Sequence, residues 1–329
     1  MKDNILSPLV TVVLATYNQA DYVQKALDSI LSQTYSNLEI IICDNGSNDK
    51  TKEIIKSTIS KFPDIVFLDY KHNKNITVRH NHYINLAQGE FVSILFGDDY
   101  YLPHKIESQV EAFLKLDDSW GVVYGPTLIE NQIKHNFITQ TGLQKSGYVL
   151  NELLTNWHSG GMMNCVVPLT RIKCYEQYLN YEDIFTEGEG VFLRIAIDFK
   201  FFYQSEPLSV MTEHENNYGK SVISNIKNHD LVLSKMQSIQ SLTKSVQTLI
   251  RSHRAVGLFN AGWHCIRANL NSYEAKSLLI KAIKIYPPLL LKAKTWLGVM
   301  LMLLPTSILK IINKLINNIF RTSPIVIID

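Results

Sequence analysis

The chain has few of the features that mark secreted or membrane-spanning proteins. It contains only four cysteines in 329 residues, at wide and unpatterned spacing, so the sequence offers neither a disulfide framework nor a zinc signature. Its first residues, Met1 to Pro8, lack the basic stretch followed by an apolar core that marks a secretory signal. We therefore expect a cytoplasmic protein whose cysteines are core residues.

Two common nucleotide-binding motifs are also absent. No Gly-x-Gly-x-x-Gly follows the first apolar run, and no Gly-x4-Gly-Lys-Ser/Thr occurs anywhere, so the sequence has neither a dinucleotide fingerprint nor a P-loop. With 46% hydrophobic residues, the chain can still bury a sizeable core. The sequence therefore predicts a globular protein.

The net charge of +2 conceals an uneven distribution of charge along the chain. Residues 1–220 carry 18 Lys and Arg against 27 Asp and Glu, a net charge of −9, whereas residues 221–329 carry 14 against 3, a net charge of +11. An acidic body with a basic, apolar tail favours attraction to an anionic surface such as the inner leaflet of a membrane. The tail lacks the interleaved aromatic and basic pattern of a strand-binding groove, so nucleic acid is not predicted as a partner.

The first third of the chain alternates apolar runs with helical patterns. The apolar runs are typical of strands buried in a parallel sheet, and they lie at Leu9–Ala15, Leu38–Cys43, Ile65–Tyr70 and in the stretch that starts at Glu90 and ends before Gly97. The segments between them place apolar residues at helical spacing. Strands that alternate with helices in this way predict βαβ units and an α/β fold with a parallel, right-handed sheet.

Three of the predicted strands end in short polar clusters: Thr16-Tyr17-Asn18, Asp44 to Asp49, and Asp98-Asp99. Ligands of open α/β sheets bind beyond the carboxyl ends of the strands, so we expect the clusters to converge on one nucleotide-sized crevice. Carboxylate oxygens at such an edge suit Mg²⁺ or Mn²⁺, which bridge phosphate oxygens. The alternative is that Asp98-Asp99 is a solvated turn that caps the helix starting at Pro103.

The order and separation of these segments resemble those of a known family. The segments Leu9–Asn18, Ser32–Tyr35, Glu39–Thr51, Gly97–Asp99 and Leu102-Pro103 look like the nucleotide-sugar-binding half of the inverting family 2 glycosyltransferases with the GT-A fold. The resemblance is strong over residues 8–116 and weaker over 117–221. It implies a GT-A domain over residues 1–221, in which a mostly parallel sheet is flanked by helices. Residues 1–116 would bind the nucleotide sugar, residues 117–221 the acceptor, and residues 222–329 would form a helical extension.

The resemblance also implies roles for residues at the strand ends. Thr16 and Tyr17, with the adjoining Asn18, are expected to line the base pocket, and Asp44 to accept a hydrogen bond from the base. Asp98 and Asp99 are expected to hold the ribose and a divalent ion, Mn²⁺ or Mg²⁺, with Asp98 the first choice of metal ligand. Such an ion binds a sugar diphosphate and stabilises the diphosphate as it leaves.

Two departures from the family pattern affect this half. Phe96 stands where the family usually has another Asp, which removes one potential ribose or metal contact. The arginine that usually precedes Asn81 is replaced by His80, with Arg79 one place earlier. Either Arg79 or His80 is expected to reach a phosphate, and a solvated helix face is the alternative.

Inverting transfer needs a base that accepts the proton of the acceptor hydroxyl. The family supplies it from a Glu-Asp pair that, counted back from Arg194, falls on Glu187 and Gly188, so the usual Asp is missing. Glu187 and Glu189 are the remaining candidates, with Glu182-Asp183 as a more remote possibility. The alternative is that these glutamates only interact with the N-terminal end of the helix dipole.

Two further segments contain candidate residues for the acceptor half. Glu206–Asn217 resembles the segment that closes the catalytic domain in the family, and its histidine, His214, is expected to touch the diphosphate or the metal unless it is a surface residue. Trp157 and His158 lie in a polar stretch, where the indole either stacks on an acceptor sugar or simply packs against the protein.

The C-terminal region shows helical apolar spacing over residues 222–285 and a break at Pro287-Pro288. The stretch Thr295 to Leu309 has no charge over 15 residues, fewer than the about 20 that span a bilayer. A basic amphipathic helix follows, with Ile308, Ile311 and Leu315 among its apolar residues. This pattern favours interfacial membrane association, and a buried core helix or a dimer interface is the alternative.

These observations predict an inverting, metal-dependent glycosyltransferase. We expect it to use a nucleoside-diphosphate sugar, with UDP as the nucleotide, and a saccharide acceptor that is lipid-linked, as in surface polysaccharide synthesis. It would lie peripherally on the cytoplasmic face of the inner membrane. The alternative is a catalytically silent partner that binds a nucleotide sugar, which the residues Phe96 and Gly188 would explain.

Overall fold

The computed structural model describes residues 7–157, 164–215, 217, 222–240, 242–267 and 272–320. The chain divides into two compact units, residues 1–216 and residues 217–329. The division falls close to the predicted domain boundary at residue 221, which itself lies outside the described residues.

The first half of the N-terminal unit alternates strands and helices. Its elements are β1 (Val10–Thr16), α1 (Val23–Leu31), β2 (Leu38–Asp44), α2 (Thr51–Ile59), β3 (Val66–Asp69), α3 (Ile76–Leu86), β4 (Phe91–Phe96), β5 (Tyr100–Tyr101) and α4 (Lys105–Phe113). Strands β1, β2, β3 and β4 pair in parallel, as the alternating pattern predicts. Every residue of β1 is buried, which explains its unbroken apolar and β-branched sequence.

The second half of this unit is less regular. Its elements are β6 (Trp120–Tyr124), β7 (Thr127–Asn131), β8 (Asn136–Gln140), α5 (Leu150–Trp157), β9 (Leu169–Arg171), α6 (Ile172–Gln177), α7 (Glu189–Asp198), β10 (Lys200–Tyr203) and β11 (Ser209–Glu213). The seven-stranded sheet has the order β10-β6-β9-β4-β1-β2-β3, and a four-stranded sheet has the order β5-β11-β7-β8.

Only β9 runs antiparallel to its neighbours in the seven-stranded sheet, among the described residues. The mostly parallel α/β sheet flanked by helices therefore confirms the fold class predicted from the sequence. One apolar core packs against a face of this sheet and includes Leu14, Leu27, Leu95, Ile106 and Leu169.

All the secondary-structure elements described in the C-terminal unit are helices. It contains α8 (Val222–Gln237), α9 (Lys244–Arg267), α10 (Ser272–Ile285), a 3₁₀ turn (Pro287–Leu291), α11 (Ala293–Met302) and α12 (Thr306–Phe320). Residues of α9 and α10 form most of its core, to which Leu289, Leu301 and Leu309 add. Searched over the described residues, the chain has no helix that is both long and apolar enough to cross a membrane.

Candidate active site

The strand ends meet as the parallel register requires. Thr16 lies opposite Asp44 at the ends of β1 and β2, and Ala15 lies opposite Phe96 on β4. The Thr16 hydroxyl donates a hydrogen bond to the Asp44 carboxylate over 3.2 Å. The Asp98-Asp99 pair follows two residues after Phe96, so all three polar clusters lie along one edge of the sheet.

The carboxylate of Asp44 is fully buried and organises the loop that follows it. It accepts hydrogen bonds from the backbone N–H groups of Gly46 (3.0 Å) and Ser47 (2.8 Å) and from the Ser47 hydroxyl (2.5 Å). With the bond from Thr16, these donors fill the acceptor capacity of a carboxylate. A base that bonds to Asp44 must therefore displace one of them.

Asn18 joins the loops that follow β1 and β2. Its backbone is left-handed, with φ of 52°, a conformation that Asn adopts more readily than most residues. Its N–H donates to the Ser47 hydroxyl at 2.9 Å, and its side-chain oxygen accepts from the N–H of Asn48 at 2.8 Å. Tyr17, which precedes it, stays half-buried at the same edge.

Arg79 and His80 on α3 are both buried, so the solvated helix face is wrong for either residue. The Arg79 guanidinium lies 3.4 Å from the centre of the Tyr70 ring and donates to the Asn45 side chain and to the His72 carbonyl. Its side chain thus reaches the loop that follows Asp44.

The ring of His80 bonds to Asn180 at 2.8 Å. Burial lowers the pKa of His80 to about 3, so the imidazole is neutral at physiological pH. Its phosphate-binding role stays a prediction, and a neutral ring would supply a hydrogen bond rather than a charge.

Asp98 and Asp99 face different partners. The Asp99 carboxylate is buried and accepts a hydrogen bond from the backbone N–H of Thr212 at 2.9 Å. Burial, together with the charge of Asp98, raises the pKa of Asp99 well above its usual range. The more open Asp98 carboxylate lies 3.3 Å from Nε2 of His214.

Neither aspartate caps the next helix. The helix α4 begins at Lys105 with His104 at its N-cap, and no side chain caps it, so the turn-capping alternative for Asp98-Asp99 is wrong. His214 is buried rather than a surface histidine. Antiparallel pairing of β11 with β5 brings Thr212 and then His214 alongside the two aspartates.

The two candidate bases at the start of α7 differ in their environments. The Glu189 carboxylate turns back onto the helix N-terminus and accepts a hydrogen bond from the Glu187 N–H at 2.9 Å. Burial raises the pKa of Glu189, and hydrogen bonds from nearby backbone N–H groups offset part of this effect. Glu189 thus fills the structural role that the sequence offered as an alternative for both glutamates.

The carboxyl group of Glu187 instead interacts electrostatically with the two aspartates. Its removal from water, with the negative charges of Glu189 and Asp98 nearby, raises the pKa of Glu187 to about 7. A carboxyl group in this range is suited to accept a proton near neutral pH.

Gly188 explains why the usual aspartate is missing between them. Its φ of +135° is strained for any residue with a side chain. A Cβ there would also lie 3.3 Å from the Cys165 sulfur. The turn at Gly188 allows Glu189 to fold back onto the N–H of Glu187.

The described residues contain no group of three or more His, Cys, Asp and Glu side chains that could hold a metal ion. Asp98 and His214 nevertheless supply one oxygen and one nitrogen ligand at one point. Mg²⁺ is commonly held by only one or two carboxylates together with substrate phosphates, so the two residues fit a metal that binds along with a diphosphate. Phe96 packs against the core and adds no ligand.

Trp157, His158 and Glu182 are the remaining candidates from the sequence. His158 and the side chain of Trp157 lie outside the described residues. The Glu182 side chain accepts a hydrogen bond from Asn81 at 3.1 Å, and its carbonyl accepts bonds from Asn75 and Thr77. Glu182 therefore fastens its loop to α3.

Tyr22, the residue before α1, also contributes to the site. Its ring stacks on His214 with centroids 4.5 Å apart and planes at 16°, and its hydroxyl donates to Gln132 over 3.3 Å. No local signal marks this contact, because it depends on the long-range placement of β11. Ser47 had a stronger signal, since it lies in the polar cluster after β2.

The comparisons with known proteins agree with this arrangement. Residues 11–167 match the model of the family described as "Glycosyl transferase family 2". Over these residues the chain is similar to glycosyl transferase family 2. The match covers β1 to α4 and extends into the second half of the N-terminal unit.

Curated relatives match mainly over the same region. An uncharacterized glycosyltransferase of Rickettsia typhi is 41% identical over 133 residues, which are 40% of this chain and 41% of that protein. Chondroitin synthase of Pasteurella multocida is 36% identical over 117 residues, which are 36% of this chain and 12% of that protein. The chain thus spans about two fifths of the length of the first of these relatives.

Solved structures show the same fold at low identity. TarS 1–349 of S. aureus in complex with UDP-GlcNAc has a TM-score of 0.64 at 14% identity. The superposition covers 84% of this chain and 81% of the TarS chain. The mannosyltransferase PcManGT of Pyrobaculum calidifontis in complex with GDP-Man and Mn²⁺ has a TM-score of 0.57 at 15% identity, with coverages of 96% and 88%. These likenesses confirm the predicted GT-A fold.

Proposed function

We propose that the chain is an inverting, metal-dependent glycosyltransferase that moves a sugar from a nucleoside diphosphate to a saccharide hydroxyl. The observation that carries this proposal is the cluster of Asp98, His214 and Glu187 at one edge of a family 2 domain. The cluster combines two groups that can bind a metal diphosphate with a carboxyl group whose pKa lies near neutrality.

In the proposed reaction, Glu187 accepts the proton of the acceptor hydroxyl. The hydroxyl oxygen forms a bond to the anomeric carbon of the donor sugar from the side opposite the diphosphate. The bond between that carbon and the diphosphate oxygen breaks, and the nucleoside diphosphate leaves with the electron pair. The result is a glycoside of inverted configuration and a protonated Glu187.

Asp98 and His214 would hold the metal, and Asp99 would contact the ribose. A bound divalent ion stabilises the negative charge that develops on the diphosphate. The hydrogen bond from Thr212 fixes the orientation of Asp99. Thr16, Tyr17 and Asn18 would line the base pocket with Asp44, and Arg79 or His80 would contribute to phosphate binding.

UDP is the nucleotide we propose, with a lipid-linked saccharide as acceptor in surface polysaccharide synthesis. The similar structures hold UDP-GlcNAc and GDP-Man, respectively, so both nucleotides belong in the test. The basic C-terminal region would keep the protein peripheral on the cytoplasmic face of the inner membrane, where such acceptors lie.

The test uses the purified full chain with UDP-sugars and GDP-mannose, with Mn²⁺ or Mg²⁺ and saccharide acceptors. We expect release of one nucleoside diphosphate that depends on the metal and is abolished in Asp98→Asn. Calorimetry of nucleotide binding, with and without metal, measures the affinity of the donor site. Nucleotide binding without turnover on any acceptor extract would instead favour the catalytically silent partner, for which Phe96 and Gly188 are the motivating residues.

A further inference from the structure

The C-terminal unit exposes an unusual density of large apolar side chains. Of the 20 large hydrophobic residues that are exposed in the described part of the chain, nine lie between Leu290 and Leu315. Single exposed apolar residues are common on soluble proteins, but a concentration of this kind marks an interaction site. We call the exposed apolar residues of this segment the apolar surface.

Helix α11 is apolar on two opposite sides. One side, with Thr295, Gly298 and Leu301, is buried in the unit. On the other side, Trp296 and Met300, together with Leu303 just after the helix, recur at intervals of four and three residues with exposures of 54%, 64% and 77%. A helix that served only the core would place polar residues there.

Helix α12 repeats the arrangement. Ile308, Ile311 and Leu315 recur at helical spacing and are exposed, whereas Leu309 and Asn313 are buried. The Asn313 side chain donates to the Ile266 carbonyl at 2.8 Å and accepts from Arg267 at 2.7 Å, which fixes the rotation of this helix. The exposure of its apolar residues is therefore set by a specific contact with α9.

The charge around the apolar surface has one sign. The sequence between Glu274 and Asp329 contains eight Lys and Arg residues and no Asp or Glu. Lys292 and Lys294 flank the start of α11, and Lys310 and Lys314 lie beside the exposed apolar residues of α12. All four are exposed, so their long side chains can keep their charges in water while the apolar residues beside them are buried.

We propose that the apolar surface docks on an anionic bilayer, with α11 and α12 lying in the plane of the headgroups. Apolar residues would enter the acyl boundary, and the lysines would contact anionic lipid headgroups. A membrane fits better than a second copy of the same surface, because two such copies would bring lysines of like charge together. This proposal specifies the surface behind the peripheral location proposed above, and it does not depend on catalysis.

The experiment measures sedimentation of the full chain with vesicles. One set contains equal parts of phosphatidylglycerol and phosphatidylcholine, and the other only phosphatidylcholine. We expect binding to the anionic vesicles that weakens as salt is raised. We also expect the double variant Trp296→Gln/Met300→Gln to bind about tenfold or more weakly, because two apolar anchors are lost. The variant Lys310→Gln/Lys314→Gln should lose mainly the preference for anionic vesicles.

The matched control is Phe137→Ser/Ile138→Ser, which removes two apolar residues of the N-terminal unit with exposures of 59% and 49%. Its vesicle binding should equal that of the unchanged chain. Trp296 provides a direct readout, because its fluorescence should be quenched by brominated lipid, and this quenching should disappear in Trp296→Phe.

Several results would overturn the proposal. Equal binding to both vesicle types would do so, as would unchanged binding of the Trp296→Gln/Met300→Gln variant. A concentration-dependent dimer that this variant abolishes would assign the surface to a second copy of the chain. Nucleotide binding is measured on the same preparations. If the chain binds nucleotide but not vesicles, only the proposed membrane surface is refuted. If it binds vesicles but not nucleotide, the proposed transferase is refuted.

Discussion

Residues 1–220 carry a net charge of −9 and residues 221–329 a net charge of +11. The two regions also differ in what surrounds their buried carboxylates. In the N-terminal unit, carboxylates are gathered at one sheet edge, where burial and mutual repulsion raise the pKa values of Asp99 and Glu187. In the C-terminal unit, the buried carboxylate of Asp230 is neutralised by Arg254 and Lys281.

The difference separates two uses of a buried charge. Asp230 has two cationic partners, at 2.5 and 2.6 Å, so it holds helices together. Asp98 and Glu187 lie among other carboxyl groups, an arrangement that is costly unless a cation or a proton joins it. The carboxylates gathered at this sheet edge are therefore where we expect chemistry, and four changes test the contrast with Asp230.

The largest effect should come from the two glutamates at the start of α7. Glu187→Gln should lower kcat by about 10²–10⁴-fold, because the variant cannot accept the acceptor proton. Glu189→Gln keeps an oxygen that can accept from the Glu187 N–H, so it should stay within about tenfold of the unchanged chain. Steady-state transfer with saturating donor measures both. Similar losses in the two variants would contradict the assignment of Glu187 alone as the base.

A second effect belongs to the C-terminal unit. Asp230→Asn leaves Arg254 and Lys281 without their anionic partner and should lower the free energy of unfolding of this unit by about 3 kcal/mol. This value is at the lower end of the range for a broken buried ion pair, because Lys281 is half exposed. Denaturant titration should show the loss, and nucleotide affinity should not change.

The matched control for Asp230 is Lys227→Gln, which removes a more exposed bond to Glu274 and should cost less than about 1 kcal/mol. A large fall in nucleotide affinity in Asp230→Asn would mean that the two regions are not independent.

The activity should also depend on pH. Glu187 has a pKa of about 7, so the proportion of the ionised base falls as the pH is lowered through this value. We expect kcat/KM to decline about tenfold per pH unit below 7 and to level off above it. A metal bound near Asp98 would favour the ionised form, so this limb should move to lower pH as Mn²⁺ is raised. If kcat/KM of the Glu187→Gln variant still falls below pH 7, a group other than Glu187 causes the pH dependence.

The predictable parts of the molecule are those governed by short-range pattern. The apolar runs located β1 to β4 to within a residue or two, because strands buried on both faces are continuously apolar. Parallel pairing then requires that their polar ends lie together, which is why Thr16, Asp44 and Asp98 could be named in advance.

The unpredicted parts depend on long-range pairing. Strand β9 has only three residues and enters the sheet between β4 and β6, and no pattern of that length specifies a partner. The second sheet places β11 beside β5 and so brings the Thr212 N–H to Asp99. A backbone donor carries no residue-specific signal, so this part of the site could not be predicted from the sequence.

The smallest expected effect tests one of these unpredicted contacts. Tyr22 stacks on His214, whose Nε2 faces Asp98, so we expect Tyr22 to act as a positioning residue. Tyr22→Leu should weaken Mn²⁺ binding in the presence of UDP by about two- to tenfold, the range expected for one stacked aromatic pair. Tyr22→Phe keeps the stack and loses only the bond to Gln132, so its affinity should remain close to that of the unchanged chain. Paramagnetic resonance of free Mn²⁺ measures the affinity without turnover. A loss in Tyr22→Phe as large as in Tyr22→Leu would show that the hydroxyl, and not the ring, positions His214.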